Sequence, residues 1–127
     1  MTAVQVSDEM AAFLTERHLA TLTTLRANGS PHVVPVGFSY DVAQGLVRVI
    51  TFASSMKARN AALGGRAAVS QVDGARWATL EGVAKVVDDA PSVALAVEGY
   101  AARYRRPGER VDRVAIEIAV DKVMGRV

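Results

Sequence analysis

The stretch SSMKARNAAL, Ser54 to Leu63, holds the densest set of groups suited to binding an anion. It follows the apolar, β-branched run LVRVITFA, which reads as a strand, and it reads itself as a short helix. Lys57 and Arg59 then fall in or beside the first turn, where the helix dipole favours negative charge. A strand leading into a helix N-terminus also exposes backbone N–H groups without partners. A phosphate at that end satisfies both the amides and the cations. Ser55 would add a hydroxyl, Lys57 a point charge, and Asn60, one turn on, an amide. Arg59 shares the field or faces water. On these residues alone a surface helix with ordinary cations is an equal alternative, because each misplaced cation costs under roughly 1 kcal/mol.

Two other stretches stand out. In PHVVPVGF, Pro35 sits inside a strand pattern. Proline removes a ladder hydrogen bond, so this strand is expected at an edge or interrupted, where a flat ligand can approach the backbone. The other reading of Pro35 is a guard against edge-to-edge aggregation. In QVDGARWATLEG, Trp77 is the only tryptophan, placed to stack on a ring, to pack an interface or to fill the core. Arg76 beside it faces an anionic ligand or solvent. His18 and His32 open two different strands, and no further ligands cluster beside them in the sequence, so no metal site is expected. There is no Gly-x-Ser-x-Gly elbow. Asp73, Glu81, Asp88 and Asp89 read as solvated faces. No group is a self-sufficient catalyst, so a bound cofactor is expected to supply any chemistry.

The elements that must position these residues alternate along the chain. Ser7-Asp8-Glu9 predicts a helix start, with the helix running to Arg17 and Met10, Phe13 and Leu14 inward. His18–Leu25 reads as a strand, Asn28-Gly29 as a tight turn and Pro31–Tyr40 as the return strand. A third strand at LVRVIT precedes the short helix, which Gly64-Gly65 ends. RAAVSQV and RWATLEGVAKVV read as the fourth and fifth strands. Pro91 opens a helix with Val93, Val97, Tyr100 and Tyr104 along one stripe. RVAIEIAVDKV alternates as a last strand. Five or six antiparallel strands with few helices suggest a small, mainly β barrel. The absence of a Gly-rich loop after a strand argues against a doubly wound dinucleotide fold.

The chain has 127 residues, half of them apolar, which suits one domain with a real core. Fifteen cations against thirteen acids give a net charge of +2, without a polybasic tail, so nucleic acid is not an expected partner. No apolar run reaches transmembrane length and no export signal is visible at the start, so membrane insertion is not expected. The absence of cysteine fits a reducing cytoplasm.

The order of these stretches resembles a known family. FLTERHLATLTTLRA, SPHVVPVGF, SSMKARNA, SQVDGARW and LEG together are similar to the split β-barrel flavin and deazaflavin oxidoreductases, which include the pyridoxamine phosphate oxidases. Within that superfamily they look most like the actinobacterial branch that uses coenzyme F420. The resemblance implies a six-stranded split barrel that forms a homodimer with grooves along the interface. It implies that the cofactor phosphate meets Ser55, Lys57 and Asn60, that Met56 is a cofactor-binding position which is apolar here where relatives often carry a polar or charged residue, and that Arg59 is one candidate for the acidic tail. The deazaflavin ring would lie against Val34, Pro35 and Val36, near Thr51. Gln71, Arg76 and Trp77 would border the same groove. The implied reaction is hydride transfer from reduced deazaflavin to an acceptor, foremost biliverdin to bilirubin. FMN as cofactor, or binding of cofactor or tetrapyrrole without turnover, remain alternatives.

Overall fold

The computed structural model describes residues 4–127. Its strands are β1 (Ala20–Leu25), β2 (Pro31–Val36), β3 (Ser39–Asp41), β4 (Leu46–Phe52), β5 (Arg66–Asp73), β6 (Arg76–Val87) and β7 (Arg113–Arg126). The helices are α1 (Asp8–Phe13), α2 (Met56–Ala61) and α3 (Ala90–Arg103). All strands join one sheet in the order β2-β1-β5-β6-β7-β4-β3, with antiparallel pairs throughout.

Period-2 patterning drives this arrangement. In β4, Val47, Val49 and Thr51 point inward and the residues between them point out. β7 is buried continuously from Val114 to Ile118 because both faces are covered at the centre of the sheet. Phe13, Leu22, Phe38, Val47, Val69, Leu80, Ile116 and Ile118 are almost wholly removed from water and form the core. The β1–β2 turn needs a left-handed residue, and Gly29 supplies it at φ 86°.

The expected strand Pro31–Tyr40 is two strands, which corrects the count from six to seven. The break falls at Gly37-Phe38. Phe38 turns its ring into the core, and its amide donates to Tyr104 Oη at 3.3 Å instead of joining a ladder. A Cβ on Gly37 would sit 2.9 Å from the Tyr100 ring and 3.0 Å from the Tyr104 ring, so only glycine passes beneath them. The two strands on either side of this break lie at opposite ends of the sheet order. Three Cα–Cα steps span at most about 11 Å, so the sheet must curl until its two edges approach each other. No ladder joins β2 to β3 among the described residues, so the curled sheet is split rather than closed.

The helices also depart from expectation. α1 stops at Phe13, not Arg17, because Thr15 folds back and its hydroxyl donates to Ala12 O at 2.7 Å. Met10, Phe13 and Leu14 are buried as expected. α3 starts under the Asp89 cap, whose carboxylate accepts from Ser92 N at 3.1 Å. Its deepest residues are Ala96 and Arg103, while the stripe of Val93, Val97, Tyr100 and Tyr104 is only half-buried. Gly99 explains the rotation: a Cβ there would collide with Ser39, so the small-residue face lies against β3.

Candidate functional site

The turn between β4 and α2 is built as a donor cradle. Ser55 caps α2 and is buried; its Oγ accepts from Ala58 N at 3.1 Å and from Thr51 Oγ1 at 2.9 Å. Both lone pairs of that hydroxyl are thereby used, which leaves its proton to donate elsewhere. The amides of the first helical turn point the same way. Lys57 is half-buried, and it has no carboxylate partner among the described residues. Arg59 and Met56 are exposed. Nothing acidic stands in the first turn of α2.

β2 is an edge strand, as Pro35 required. A cavity of about 210 Å³ joins Pro35, Val36 and Gly37 to Ile50, Lys57, Tyr100 and Pro107. Thus the edge strand and the α2 lysine, far apart in sequence, share one concavity. Thr51 stands behind it, holding Ser55. Asn60 turns the other way. It is buried, and its Nδ2 donates to Thr24 Oγ1 at 3.1 Å. It lines a second cavity of about 210 Å³ with Thr24, Arg26 and Arg66.

Gln71, Arg76 and Trp77 are not gathered at that concavity in the single chain. Gln71 is 1% exposed and lies in the interior. Its Nε2 donates to Phe13 O at 3.1 Å and its Oε1 accepts from Arg103 at 2.6 Å. Arg103 also donates to Glu16 O and to Phe38 O, each at 2.8 Å, and stacks on the Phe38 ring at 4.7 Å. This guanidinium is 9% exposed and faces only neutral oxygens. Burial pulls its pKa down, while the neighbouring Tyr104 and Glu16 oppose that shift. Tyr104 Oη donates to His18 O at 2.6 Å, and burial pushes its pKa up. Arg103 and Tyr104 therefore staple the turn after α1 to the Gly37-Phe38 crossover.

Arg76 stacks over Phe13 at 4.6 Å and forks onto Glu16 at 2.8 and 2.9 Å, with Asp73 as a further partner. The hydrogen bonds from Arg76 and His18 hold the Glu16 carboxyl down at about 2. His18 lies 3.1 Å from Glu16 and 3.7 Å from Asp73, so acidic groups do gather beside it, contrary to the sequence reading. The Arg76 guanidinium already occupies both carboxylates, which fits an ion-pair network and not a metal. His32 Nδ1 is buried without a hydrogen-bond partner among the described residues. Trp77 is 38% exposed at the end of the β5–β6 hairpin, opposite Val72.

The sequence reading missed Tyr100 and Pro107 as lining groups and Arg103 as a buried organiser. An aromatic pair at i, i+4 beside three arginines was the available signal. The sequence reading takes the pair only as part of the helical stripe with Val93 and Val97.

A curled, split antiparallel sheet with a cationic cradle beside an edge strand defines a class. The chain belongs to the pyridoxamine 5'-phosphate oxidase family, which it matches over residues 6–126. It is 52% identical over 124 residues to the F420H(2)-dependent biliverdin reductase of Mycobacterium tuberculosis, covering 98% of this chain and 90% of that protein. Among solved structures, a conserved protein from Mycobacterium tuberculosis superposes with a TM-score of 0.80 at 23% identity, over 98% of this chain and 86% of that one. An F420 reductase superposes with a TM-score of 0.75 at 23% identity, over 94% and 98% of the two chains. No helix among the described residues is long and apolar enough to cross a membrane.

Proposed function

We propose that this protein is an F420H2-dependent reductase that transfers a hydride to biliverdin, and that it works as a cytoplasmic homodimer. The observation that carries the reading is the 52% identity over 98% of the chain to an enzyme of that activity. The local chemistry fits the cofactor. A phosphate has the free Ser55 proton, the first amides of α2 and the unpaired Lys57 ammonium to bind. A flat ring has the Pro35-Val36 edge, which offers no N–H at Pro35 to be left unpaired. Held there by Ser55, Lys57 and the Pro35-Val36 edge, a reduced deazaflavin would supply the hydride for the central methine carbon of biliverdin, with a proton to balance it at a pyrrole nitrogen.

The chain's own residues orient and exclude water; none is assigned as an acid or base. Lys57 would hold the phosphate end, and Pro35 and Val36 would line the ring's side of the cavity, with Val34 packed behind them against the core. Thr51 fixes the Ser55 rotamer. Met56 and Arg59 flank the cradle, Arg59 toward the acidic tail. Asn60 holds α2 to β1 through Thr24. In a dimer, Arg76 and Trp77 would border the partner's groove, while Gln71 stays in the interior and acts only through Arg103 and Phe13.

Two features support the dimer. The cavity at Lys57, about 210 Å³, falls below the roughly 300 Å³ at which ligand sites begin, so one chain offers only part of the walls. The outer face of β2-β1-β5-β6 also carries little charge at its middle. In register its central rungs run Pro35–Thr21–Ser70–Thr79 and Val33–Thr23–Ala68–Glu81, where Glu81 is the one charged residue and lies 3.9 Å from Arg66 on the next rung.

The test is a fluorescence titration with coenzyme F420 and, in parallel, FMN, followed by anaerobic mixing of F420H2, protein and biliverdin. Tight F420 binding and appearance of bilirubin are expected. Preference for FMN would move the protein to the flavin oxidases of the family. F420 binding with no bilirubin would make it a carrier.

A further inference from the structure

Beside the Lys57 concavity lies a larger one, about 420 Å³, lined by Arg17, Leu19, Tyr100, Tyr104 and Arg105. Tyr100 lines both cavities, so they adjoin across one ring. Tyr100 and Tyr104 stand 4.9 Å apart at 34°, and the hydrogen bonds of Tyr104 to Phe38 N and His18 O lock the pair in place. Leu19 is 69% exposed at the rim. Arg17 and Arg105 have no carboxylate partner among the described residues, although Arg106, the next residue after Arg105, is paired with Glu98. Two free guanidinium groups around a fixed aromatic and apolar floor match a flat, apolar molecule that carries carboxylates. Arginine is the residue suited to forked recognition of such groups.

We propose that Arg17 and Arg105, with Tyr100 and Tyr104 between them, form a carboxylate-recognition subsite beside the ring groove. Resting on the reductase reading, the subsite takes the two propionate carboxylates of the acceptor while the tetrapyrrole body crosses Tyr100 toward Pro35 and Val36. The cofactor's glutamate tail is the other source of the same chemistry.

The experiment measures direct binding by visible absorbance, with no turnover needed. Biliverdin and its dimethyl ester are titrated into the full chain and into the double variant Arg17→Gln/Arg105→Gln. Coenzyme F420 and the same deazaflavin with its glutamates removed are titrated alongside by fluorescence. Both arginines are exposed, so folding is expected to survive, and Arg17→Lys/Arg105→Lys serves as the charge-retaining control. The unmodified protein should prefer the free acid over the ester by roughly tenfold or more, and the Gln variant should lose that preference. The Lys variant should restore part of it. Equal binding of acid and ester, or an unaltered preference in the Gln variant, overturns the subsite. A loss confined to glutamylated F420 overturns the acceptor assignment and gives the pocket to the cofactor tail. Failure of F420 to bind sinks the reductase reading alone, because the biliverdin arm is read without cofactor.

Discussion

At the scale of single residues, three groups divide the labour. Lys57 lies at a concavity that joins the edge strand to α2. Lys57→Ala is expected to weaken F420 binding by about 1–3 kcal/mol, the range for charge-assisted hydrogen bonds, and unchanged affinity would remove it from the phosphate. Tyr104 serves position instead. Tyr104→Phe leaves His18 O and Phe38 N without their partner, and a loss of about 1–3 kcal/mol in urea denaturation is expected. Glu16 carries an acid sensitivity. Its folded pKa is lowered from 4.5 to about 2, first by Arg76 and then by His18. A depressed folded pKa gives stability that is present above the unfolded value and is lost as pH falls from 4.5 toward 2. Glu16→Gln should therefore flatten the stability profile across that window; a denaturation midpoint that falls as steeply in the variant would show that other carboxylates dominate. The Ser55 hydroxyl and Lys57 stood out in the sequence because the rules for helix N-termini are local, while the capping role of Ser55 is seen only in the structure. The roles of Gln71 and Arg103 were not, since their partners lie 58 and 65 positions away, at Phe13 and Phe38.

At the scale of elements, close approach sets what the chain tolerates. A Cβ on Gly82 would fall on the backbone carbonyl of Ala119, at the point where the β6–β7 register shifts. Backbone cannot yield as a side chain can, so Gly82→Ala should cost more than about 3 kcal/mol or force the bulge to move. Retention of the parent melting temperature would mean that β7 slides freely. Gly37 is the gentler case, because its obstacles are the edges of two tyrosine rings. The sequence placed most strands near their observed limits, since alternation is strong in β4 and β7. It ran Pro31–Tyr40 through as one strand because no breaker beyond Gly37 marks the turn. The break is enforced by Tyr100 and Tyr104, which the fold brings over Gly37 from α3.

At the scale of the whole molecule, the proposed dimer rests on the outer face of β2-β1-β5-β6, which carries little charge at its middle. Val33 is 56% exposed at its edge. Val33→Glu is expected to shift the protein to monomer in light scattering and to weaken F420 binding together. A monomer with unaltered affinity would separate the dimer from the site. The family was legible because its stretches occur in order; the curl of the sheet was not, since no local rule says that two residues bridge its edges. The placement of β7 has a further consequence. It is the last strand in the chain yet stands between β6 and β4, so without it the sheet falls into two pieces, β2-β1-β5-β6 and β4-β3. On a ribosome the first 112 residues emerge as two unjoined ribbons with open inner edges. Those edges must stay apart, or be shielded by a chaperone, until β7 leaves the exit tunnel and zips them together.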